Sequence, residues 1–195
     1  MTGPTILILG AGRATRMRGV DKLLEPLGGD PLLRVMARRA VKAAPTRVVL
    51  GPDQPARQAA LEGVNVTCMM APADAGMAAS IVAGVAGLSG PVLIMLADMP
   101  EITAYDLHLL ITLSAQAADG IFRAAGADGT PGHPVLFPAD LLPDLSRLTG
   151  DTGAATVLKA HAARVHLVPL KDRRAVTDLD TPEDWAAWRA RNPLL

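Results

Sequence analysis

Short apolar runs alternate with longer amphipathic stretches along the whole chain. The runs contain few polar residues, which is typical of strands buried on both faces of a sheet. They predict strands at Thr5–Leu9, Arg47–Leu50, Asn65–Met69, Val92–Ala97, Gly120–Arg123 and Val165–Pro169. The stretches between them predict helices at Pro31–Ala44, Pro55–Leu61, Met77–Gly87, Ala104–Ala117, Thr152–Ala162 and Pro182–Arg191.

The alternation of strands and helices predicts the fold class. It indicates an α/β protein with a mostly parallel sheet and helices on both faces, which is a three-layer α/β/α sandwich. Thr103 and Thr181 precede two of the helices and are favourable N-cap residues. We expect a single domain over residues 1–195, because the length suits one core and no linker or repeat interrupts the pattern.

The composition narrows the class of protein. Half of the residues are apolar but only 3% are aromatic, so Ala, Leu and Val must build the core. No apolar run approaches the roughly 18 residues of a membrane span, and the N-terminus lacks a secretory signal. Cys68 is the only cysteine, so no disulfide can form within the chain, and we expect it to be buried in a strand. These features predict a cytoplasmic protein that does not bind membranes.

The net charge of zero hides an uneven distribution along the chain. Residues 1–57 hold ten Lys/Arg against four Asp/Glu, whereas residues 58–122 hold six Asp/Glu and no Lys/Arg. A basic first third suits an anionic ligand, and a middle third with carboxylates and no cations suits a metal ion. A nucleic-acid partner is not expected, because a larger basic excess and stacking aromatics are both missing.

A glycine turn follows the first predicted strand. Gly10-Ala11-Gly12 allows a sharp turn that brings backbone N–H groups close to an anion, although a simple tight turn is also compatible. The dinucleotide fingerprint G-x-G-x-x-G fails at Thr15, and the phosphate loop G-x-x-x-x-G-K-[ST] is absent. Arg16 and Lys22 lie close by in sequence, and backbone N–H groups, a guanidinium and an ammonium together suit a triphosphate.

Carboxylates stand in two further loops, one directly after a predicted strand and one late in the chain. Asp98 follows the most apolar run, and Asp178 and Asp180 lie in a late turn. Asp98 could instead cap the next helix, but Thr103 fits that position better. Magnesium prefers one or two carboxylates together with phosphate oxygens and water, so Asp98 and one residue of the late turn are candidate ligands of Mg²⁺. The four histidines lack the close spacing of a metal site.

Five sequence blocks, in order along nearly the whole chain, resemble one superfamily. They are Leu9-Gly-Ala-Gly-Arg-Ala-Thr-Arg-Met with Asp21-Lys22, Leu96-Ala-Asp-Met-Pro100, Gly132-His-Pro-Val135, Thr149-Gly-Asp-Thr-Gly-Ala154 and Asp178-Leu-Asp-Thr-Pro-Glu-Asp184. Together they resemble the Rossmann-like nucleotidyltransferases, and within them the molybdenum cofactor cytidylyltransferases. The chain departs from that pattern at Gly10, where the family has alanine, and at Ala155, where it usually has arginine.

The resemblance implies roles for individual residues. It implies catalytic roles for Arg16, Lys22 and Asp98, metal binding by Asp98 with Asp180 or Asp178, and acceptor binding by His133. It implies nucleotide binding by Leu9, Gly10, Ala11, Gly12, Arg13, Arg16, Lys22, Asp74, Gly76 and Ser80. Ala11 agrees with the cytidylyl form of the loop, so the resemblance implies CTP as the nucleotide. It further implies molybdenum-molybdopterin as the phosphorylated acceptor, with a client molybdoenzyme that receives the product.

The residue types also limit the reaction. The sequence contains no serine nucleophile motif, no cysteine–histidine pair and no recognisable acid–base pair of carboxylates. A phosphate acceptor is already ionised, so it can attack the α-phosphorus without a protein base while pyrophosphate leaves. The alternatives are a guanylyltransferase, a transferase for another phosphorylated acceptor and a non-catalytic nucleotide-binding or chaperone-like module. A dinucleotide-dependent oxidoreductase is disfavoured by the missing third glycine.

Overall fold

The computed structural model describes residues 2–12, 15–73, 76–151 and 153–193. The strands are β1 (Thr5–Leu9), β2 (Pro26–Leu27), β3 (Asp30–Pro31), β4 (Thr46–Leu50), β5 (Thr67–Met70), β6 (Val92–Leu96), β7 (Ile121–Ala125), β8 (Pro131–Phe137) and β9 (Val165–Pro169). The α-helices are α1 (Leu32–Ala40), α2 (Pro55–Ala60), α3 (Met77–Val85), α4 (Ala104–Ser114), α5 (Leu142–Leu145), α6 (Ala155–Ala160) and α7 (Pro182–Arg191). Short 3₁₀ turns lie at Thr15–Met17, Ala139–Leu141, Ala162–Arg164 and Arg174–Val176.

One seven-stranded sheet runs through the molecule in the order β5-β4-β1-β6-β8-β7-β9. β1 pairs in parallel with β4 and β6, β4 pairs in parallel with β5, and β7 pairs in parallel with β9. Only β8 runs against its two neighbours in this sheet. The predicted α/β fold with a mostly parallel sheet is therefore confirmed, whereas the single-domain expectation for residues 1–195 stays a prediction.

Side chains of the central strands alternate between two apolar layers. In β1, Ile6 and Ile8 pack on one side of the sheet and Leu7 packs on the other. The first side is covered by α1, α4 and α7, including the buried rings of Trp185 and Trp188. The second side is covered by α3, α5 and α6. Each strand thus fills both halves of the core, as the near-continuous apolar runs predicted.

The sequence reading missed β8. Pro131 and Pro134 fall inside this strand, and proline normally argues against a central strand because it cannot donate a ladder hydrogen bond. The pairing of β8 with β7 shifts register between Arg123 and Ala125, and the paired positions on β8 jump from Val135 to Pro131. Pro134 therefore lies where the ladder is already interrupted, which removes the usual penalty.

The structure also bears on the expected helix caps, the environment of Cys68 and the expected absence of a membrane span. Thr103 and Thr181 both cap their helices, each accepting a hydrogen bond from the N–H of the third helical residue. The prediction that Cys68 is buried is wrong: Cys68 is exposed, because β5 is an edge strand with a largely exposed surface. Thr152, the predicted start of the helix observed as α6, lies outside the described residues. Among the described residues, no helix combines the length and apolarity needed to cross a membrane.

Candidate active site

A cleft of about 440 Å³ opens at the carboxyl ends of β1 and β6. The loop after β1 and the start of α3 form its walls, while the end of β6 and the turn before α7 form its floor. Predicted site residues lining it are Leu9, Ala11, Gly12, Arg16, Lys22, Gly76, Ser80, Asp98, Asp178 and Asp180. Two further predicted residues, Arg13 and Asp74, lie outside the described part of the chain.

Lys22 joins two carboxylates at the floor of the cleft. Its Nζ donates to Oδ2 of Asp98 and to Oδ1 of Asp180, both at 2.5 Å. The side chains of Lys22 and Asp98 are each only 14% exposed, and that of Asp180 is 25% exposed. Burial opposes the charge of the ammonium, but the two carboxylates outweigh it and raise the pKa of Lys22. Segments far apart in sequence thus converge on one charged centre.

The donor set at this centre fits a hard divalent cation. Oδ1 of Asp98 is buried and has no hydrogen-bond partner among the described residues, so one carboxylate oxygen is left for another ligand. Asp178 lies beside the pair but is exposed, and partial desolvation with the charges of Asp180 and Asp98 raises the pKa of its carboxyl. No group of three or more His, Cys, Asp or Glu within the described ranges forms a ready-made metal cage. Two carboxylates with phosphate oxygens and water match the preference of Mg²⁺.

Arg16 stands at the rim of the cleft. Its guanidinium donates to Oδ2 of Asp180 at 2.6 Å, yet 71% of the side chain remains exposed. Such an exposed ion pair contributes little to stability. Arg16 is therefore free to turn toward an anionic ligand at small energetic cost.

The glycine turn is held from behind by two side chains that the sequence reading did not select. Arg57 is 3% exposed, and its guanidinium donates to the carbonyl oxygens of Gly10 and Gly12 and, through two nitrogens, to the carboxylate of Asp21. Nε2 of Gln54 donates to the carbonyl oxygen of Ala11 at 2.9 Å. The carbonyl groups of the turn are thus bound away from the cleft, which favours N–H groups facing an anion.

Gly10 lies behind the surface of the cleft. Its N–H donates to the carbonyl of Val49 at 2.9 Å, and a Cβ built on it would meet that oxygen at 3.3 Å. Both backbone groups of Gly10 are therefore engaged inside the protein, and the residue does not line the cleft. Close packing against β4 accounts for the glycine, while Ala11 and Gly12 form the cleft surface.

The start of α3 is closed on one side by a later loop. A Cβ built on Gly76 would lie 1.9 Å from Oδ1 of Asp151, so a larger residue at position 76 would displace the Asp151 side chain. Ser80 lies one helical turn further on, is buried, and has its N–H bonded to the carbonyl of Gly76 at 3.3 Å. Gly150 and Asp151 therefore pack against the start of α3.

His133 lies in a smaller adjoining pocket rather than in the main cleft. This pocket of about 160 Å³ shares Leu9 and Met77 with the cleft and contains Arg123 and apolar side chains. Nδ1 of His133 is buried without a hydrogen-bond partner in the described structure. Burial, aided by the charge of Arg123 and opposed by Asp98, lowers the pKa of His133 to about 4. The imidazole is thus neutral at physiological pH.

Comparison with known proteins agrees with this fold. The sequence model of one protein family, the MobA-like NTP transferase domain, matches residues 6–165 of the chain. The chain belongs to this family. It is therefore a nucleotidyltransferase, as the sequence blocks predicted, and the assignment of a transferase enzyme is confirmed.

Named relatives cover almost the whole chain. The chain is 26% identical over 197 residues to the purine catabolism protein PucB of Bacillus subtilis, covering 92% of each chain. It is 28% identical over 198 residues to a probable molybdenum cofactor guanylyltransferase of Natronomonas pharaonis, covering 96% of this chain and 97% of that one. The crystal structure of Rv0371c from Mycobacterium tuberculosis superposes with a TM-score of 0.80 at 27% identity, covering 96% and 98% of the two chains. A manganese complex of Rv0371c has also been solved and superposes with a TM-score of 0.79.

Sequence reasoning did not select Gln54 and Arg57, which contact the glycine turn, or Arg123, which lines the smaller pocket. Arg57 looked like one more cation on an amphipathic helix, and Arg123 lay within an apolar strand. A signal existed for Gln54, because it closes the Gly51–Gln54 loop at a strand end, where ligands of such sheets bind. No local pattern marks Arg57, because its partners lie 36 to 47 residues away.

Proposed function

We propose that the chain transfers a cytidylyl group from CTP to the terminal phosphate of molybdenum-molybdopterin and releases pyrophosphate. The observation that carries the proposal is the convergence of Lys22, Asp98 and Asp180 below the glycine turn, with both Nζ–carboxylate distances at 2.5 Å. This arrangement offers cations for phosphates and carboxylates for a divalent ion in one cleft. The cytidylyl assignment rests on Ala11 in the turn, as in the cytidylyl form of the loop.

In this mechanism the triphosphate lies along the glycine turn, within reach of Arg16 and Lys22. An ionised oxygen of the acceptor phosphate attacks the α-phosphorus of CTP. The bond from that phosphorus to the bridging oxygen of the β-phosphate breaks, and pyrophosphate leaves with the electron pair. Lys22 and Arg16 offset the charge that develops on the leaving group, and no protein base is required.

The carboxylates of Asp98 and Asp180 would hold Mg²⁺, with Asp178 as the nearby alternative. When bound, the ion neutralises phosphate charge and orients the reacting groups. The free Oδ1 of Asp98 supports this assignment, since a buried carboxylate oxygen without a partner is costly unless a ligand completes it.

The pocket around His133 and Arg123 would take the acceptor. It adjoins the cleft through Leu9 and Met77, so an acceptor there can present a phosphate to the nucleotide. Its walls are mostly apolar, which suits a flat heterocycle, and Arg123 supplies a positive charge for an anionic group. A molybdoenzyme that takes up the dinucleotide product is the expected client.

GTP is the second candidate, because the relative from N. pharaonis is named a guanylyltransferase. The deciding experiment measures pyrophosphate release with each of the four NTPs and Mg²⁺, with and without molybdenum-loaded molybdopterin. Release only with CTP and the cofactor supports the proposal. Release with GTP keeps the mechanism and rejects the base assignment. Tight nucleotide binding without release from any NTP favours a different acceptor or a non-catalytic binding module.

The carboxylate assignment has its own test. Asp98→Asn keeps the side-chain shape, removes the charge and should lower kcat by about 10²–10³-fold, the size typical of losing one group that stabilises transition-state charge. Asp53→Asn is the matched control, because Asp53 is exposed and lies outside the cleft. Near-normal turnover of Asp98→Asn and of Asp98→Ala with Mg²⁺ would reject the metal assignment.

A further inference from the structure

A second concave site lies behind the loop that carries Asp98. It has a volume of about 540 Å³ and is walled by residues 100–103 and 172–177 and by the end of α7. Four arginines line it: Arg39, Arg173, Arg174 and Arg191. None of the predicted site residues belongs to this basic pocket, so it is distinct from the cleft.

Two of the four arginines already have structural partners. Arg39 donates to the carbonyl oxygens of Pro100 and Ile102 at 2.6 and 2.8 Å. Arg174 lies 3.3 Å from the buried carboxylate of Asp106. Burial lowers the pKa of the Arg39 guanidinium, and the charge of Arg174 adds to that effect while Asp106 opposes it. Positive charges are therefore held close together in a partly desolvated place.

The other two arginines retain their donors. Arg173 and Arg191 are exposed, and neither forms an ion pair with any described residue. Two carboxylates also line the pocket. Glu101 accepts a hydrogen bond from Nε1 of Trp188 at 2.9 Å, and Asp172 is exposed and has a left-handed backbone conformation with φ 55°. With Asp106 included, the arginines still outnumber the carboxylates around the pocket.

We propose that the basic pocket binds a small phosphorylated anion. A guanidinium presents paired N–H donors that match phosphate oxygens, and Arg173 and Arg191 approach the pocket from different elements. The volume lies within the range of small-molecule sites in proteins, and the concave shape sets it apart from a flat basic surface. Arg39 and Arg174 supply background positive charge, while Arg173 and Arg191 supply the direct contacts.

The position of the pocket gives this binding a structural consequence. In sequence, the wall at residues 100–103 follows shortly after Asp98, and the wall at residues 172–177 is followed directly by Asp178 and Asp180. The N–H of Leu179 donates to the carbonyl of Asp98 at 3.2 Å, so the two loops are joined between the pocket and the cleft. An anion held by Arg173 and Arg191 would tie one of these loops to α7.

The test is calorimetric titration of inorganic pyrophosphate into the full chain without divalent metal, at constant ionic strength. Arg173→Ala/Arg191→Ala removes the proposed contacts and touches no residue assigned to catalysis. Lys42→Ala/Lys159→Ala removes the same number of charges at exposed positions outside both cavities. Lys22→Ala is included because the cleft is also expected to bind pyrophosphate as a reaction product.

We expect the parent chain to bind pyrophosphate in two events. In Arg173→Ala/Arg191→Ala, the affinity of one event should fall by at least about tenfold, which is roughly the loss of one charge-assisted contact. Lys22→Ala should weaken the other event, and the lysine control should keep both. Unchanged binding by Arg173→Ala/Arg191→Ala, or an equal loss in the lysine control, would overturn the proposal. An event insensitive to Lys22→Ala but lost in the arginine variant would support the pocket even if the cleft assignment failed. Circular dichroism of each variant checks that it is folded.

Discussion

Replacing Arg57 by methionine tests whether the glycine turn is held in shape from behind. The substitution keeps a long apolar stem but removes a guanidinium that is 3% exposed. It leaves the carbonyl oxygens of Gly10 and Gly12 without this hydrogen-bond donor. Each carbonyl that water cannot reach then lowers the stability by about 1–3 kcal/mol. Asp21 is 30% exposed, so water can solvate much of its freed carboxylate. We therefore expect the free energy of unfolding to fall by about 3 kcal/mol.

The same substitution should weaken nucleotide binding. With its carbonyl groups released, the turn can rotate and lose the alignment of its N–H groups toward the phosphates. We expect KM for the nucleotide to rise by about tenfold, which corresponds to about 1.4 kcal/mol of binding energy. Arg57→Lys should rescue stability only in part, because one ammonium cannot reproduce the forked contact with Asp21. Urea unfolding and steady-state pyrophosphate release provide the two measurements.

Arg34→Met is the matched control. Arg34 also donates to two backbone carbonyls, those of Ala60 and Glu62, and forms an ion pair with Asp30 at 3.4 Å. It lies outside the cleft, so its loss should lower stability and leave KM unchanged. Equal KM values for Arg57→Met and the parent chain, or equal increases in Arg57→Met and Arg34→Met, would refute the idea that Arg57 positions the turn.

Three further predictions concern the site and its support. Lys22→Ala should lower kcat by about 10²–10³-fold in pyrophosphate release, whereas Lys42→Ala should not; equal rates would remove Lys22 from the mechanism. His133 has a folded-state pKa of about 4 against an ordinary value of 6.5, so the unfolded chain takes up its proton first as the pH falls. The free energy of unfolding should therefore drop by about 2 kcal/mol between about pH 7.5 and about pH 5 because of this residue, and urea titrations of His133→Gln should lack that component. Gly132→Ala would place a Cβ 1.8 Å from the carbonyl oxygen of Ala175, so the backbone before Asp178 must move. Stability should fall by about 3 kcal/mol and turnover should drop, while Gly3→Ala, which has nothing within 4 Å, should match the parent in urea unfolding and turnover.

Local pattern was sufficient for much of the fold. β1 and β9 begin and end at the predicted residues, and so does α7, because apolar runs and the N-cap at Thr181 are signals contained within a few residues. Local pattern did not predict β8. Its tolerance of Pro134 depends on a register shift against β7, and register is a property of the paired strands rather than of either one.

Some features of the candidate site could likewise be predicted from local sequence, and others could not. Arg16, Lys22, Asp98 and Asp180 could be selected from the sequence, because charged residues in the loops after apolar runs and in the late acidic turn are conspicuous and the blocks resemble a known superfamily. The position of Gly10 behind the cleft surface could not be predicted from the sequence. It follows from the approach of Val49 on a neighbouring strand and of Arg57 on α2, both distant in sequence.

The sequence by itself determined the α/β class, the positions of most strands and helices, and the kind of chemistry that the chain can support. These follow from side-chain periodicity, capping residues and residue type, which act locally. Only the tertiary structure decided that Lys22 lies between Asp98 and Asp180, and that His133 sits uncharged beside the cleft. Distances and burial between distant segments set those properties, and both exist only once the sheet has brought the segments together.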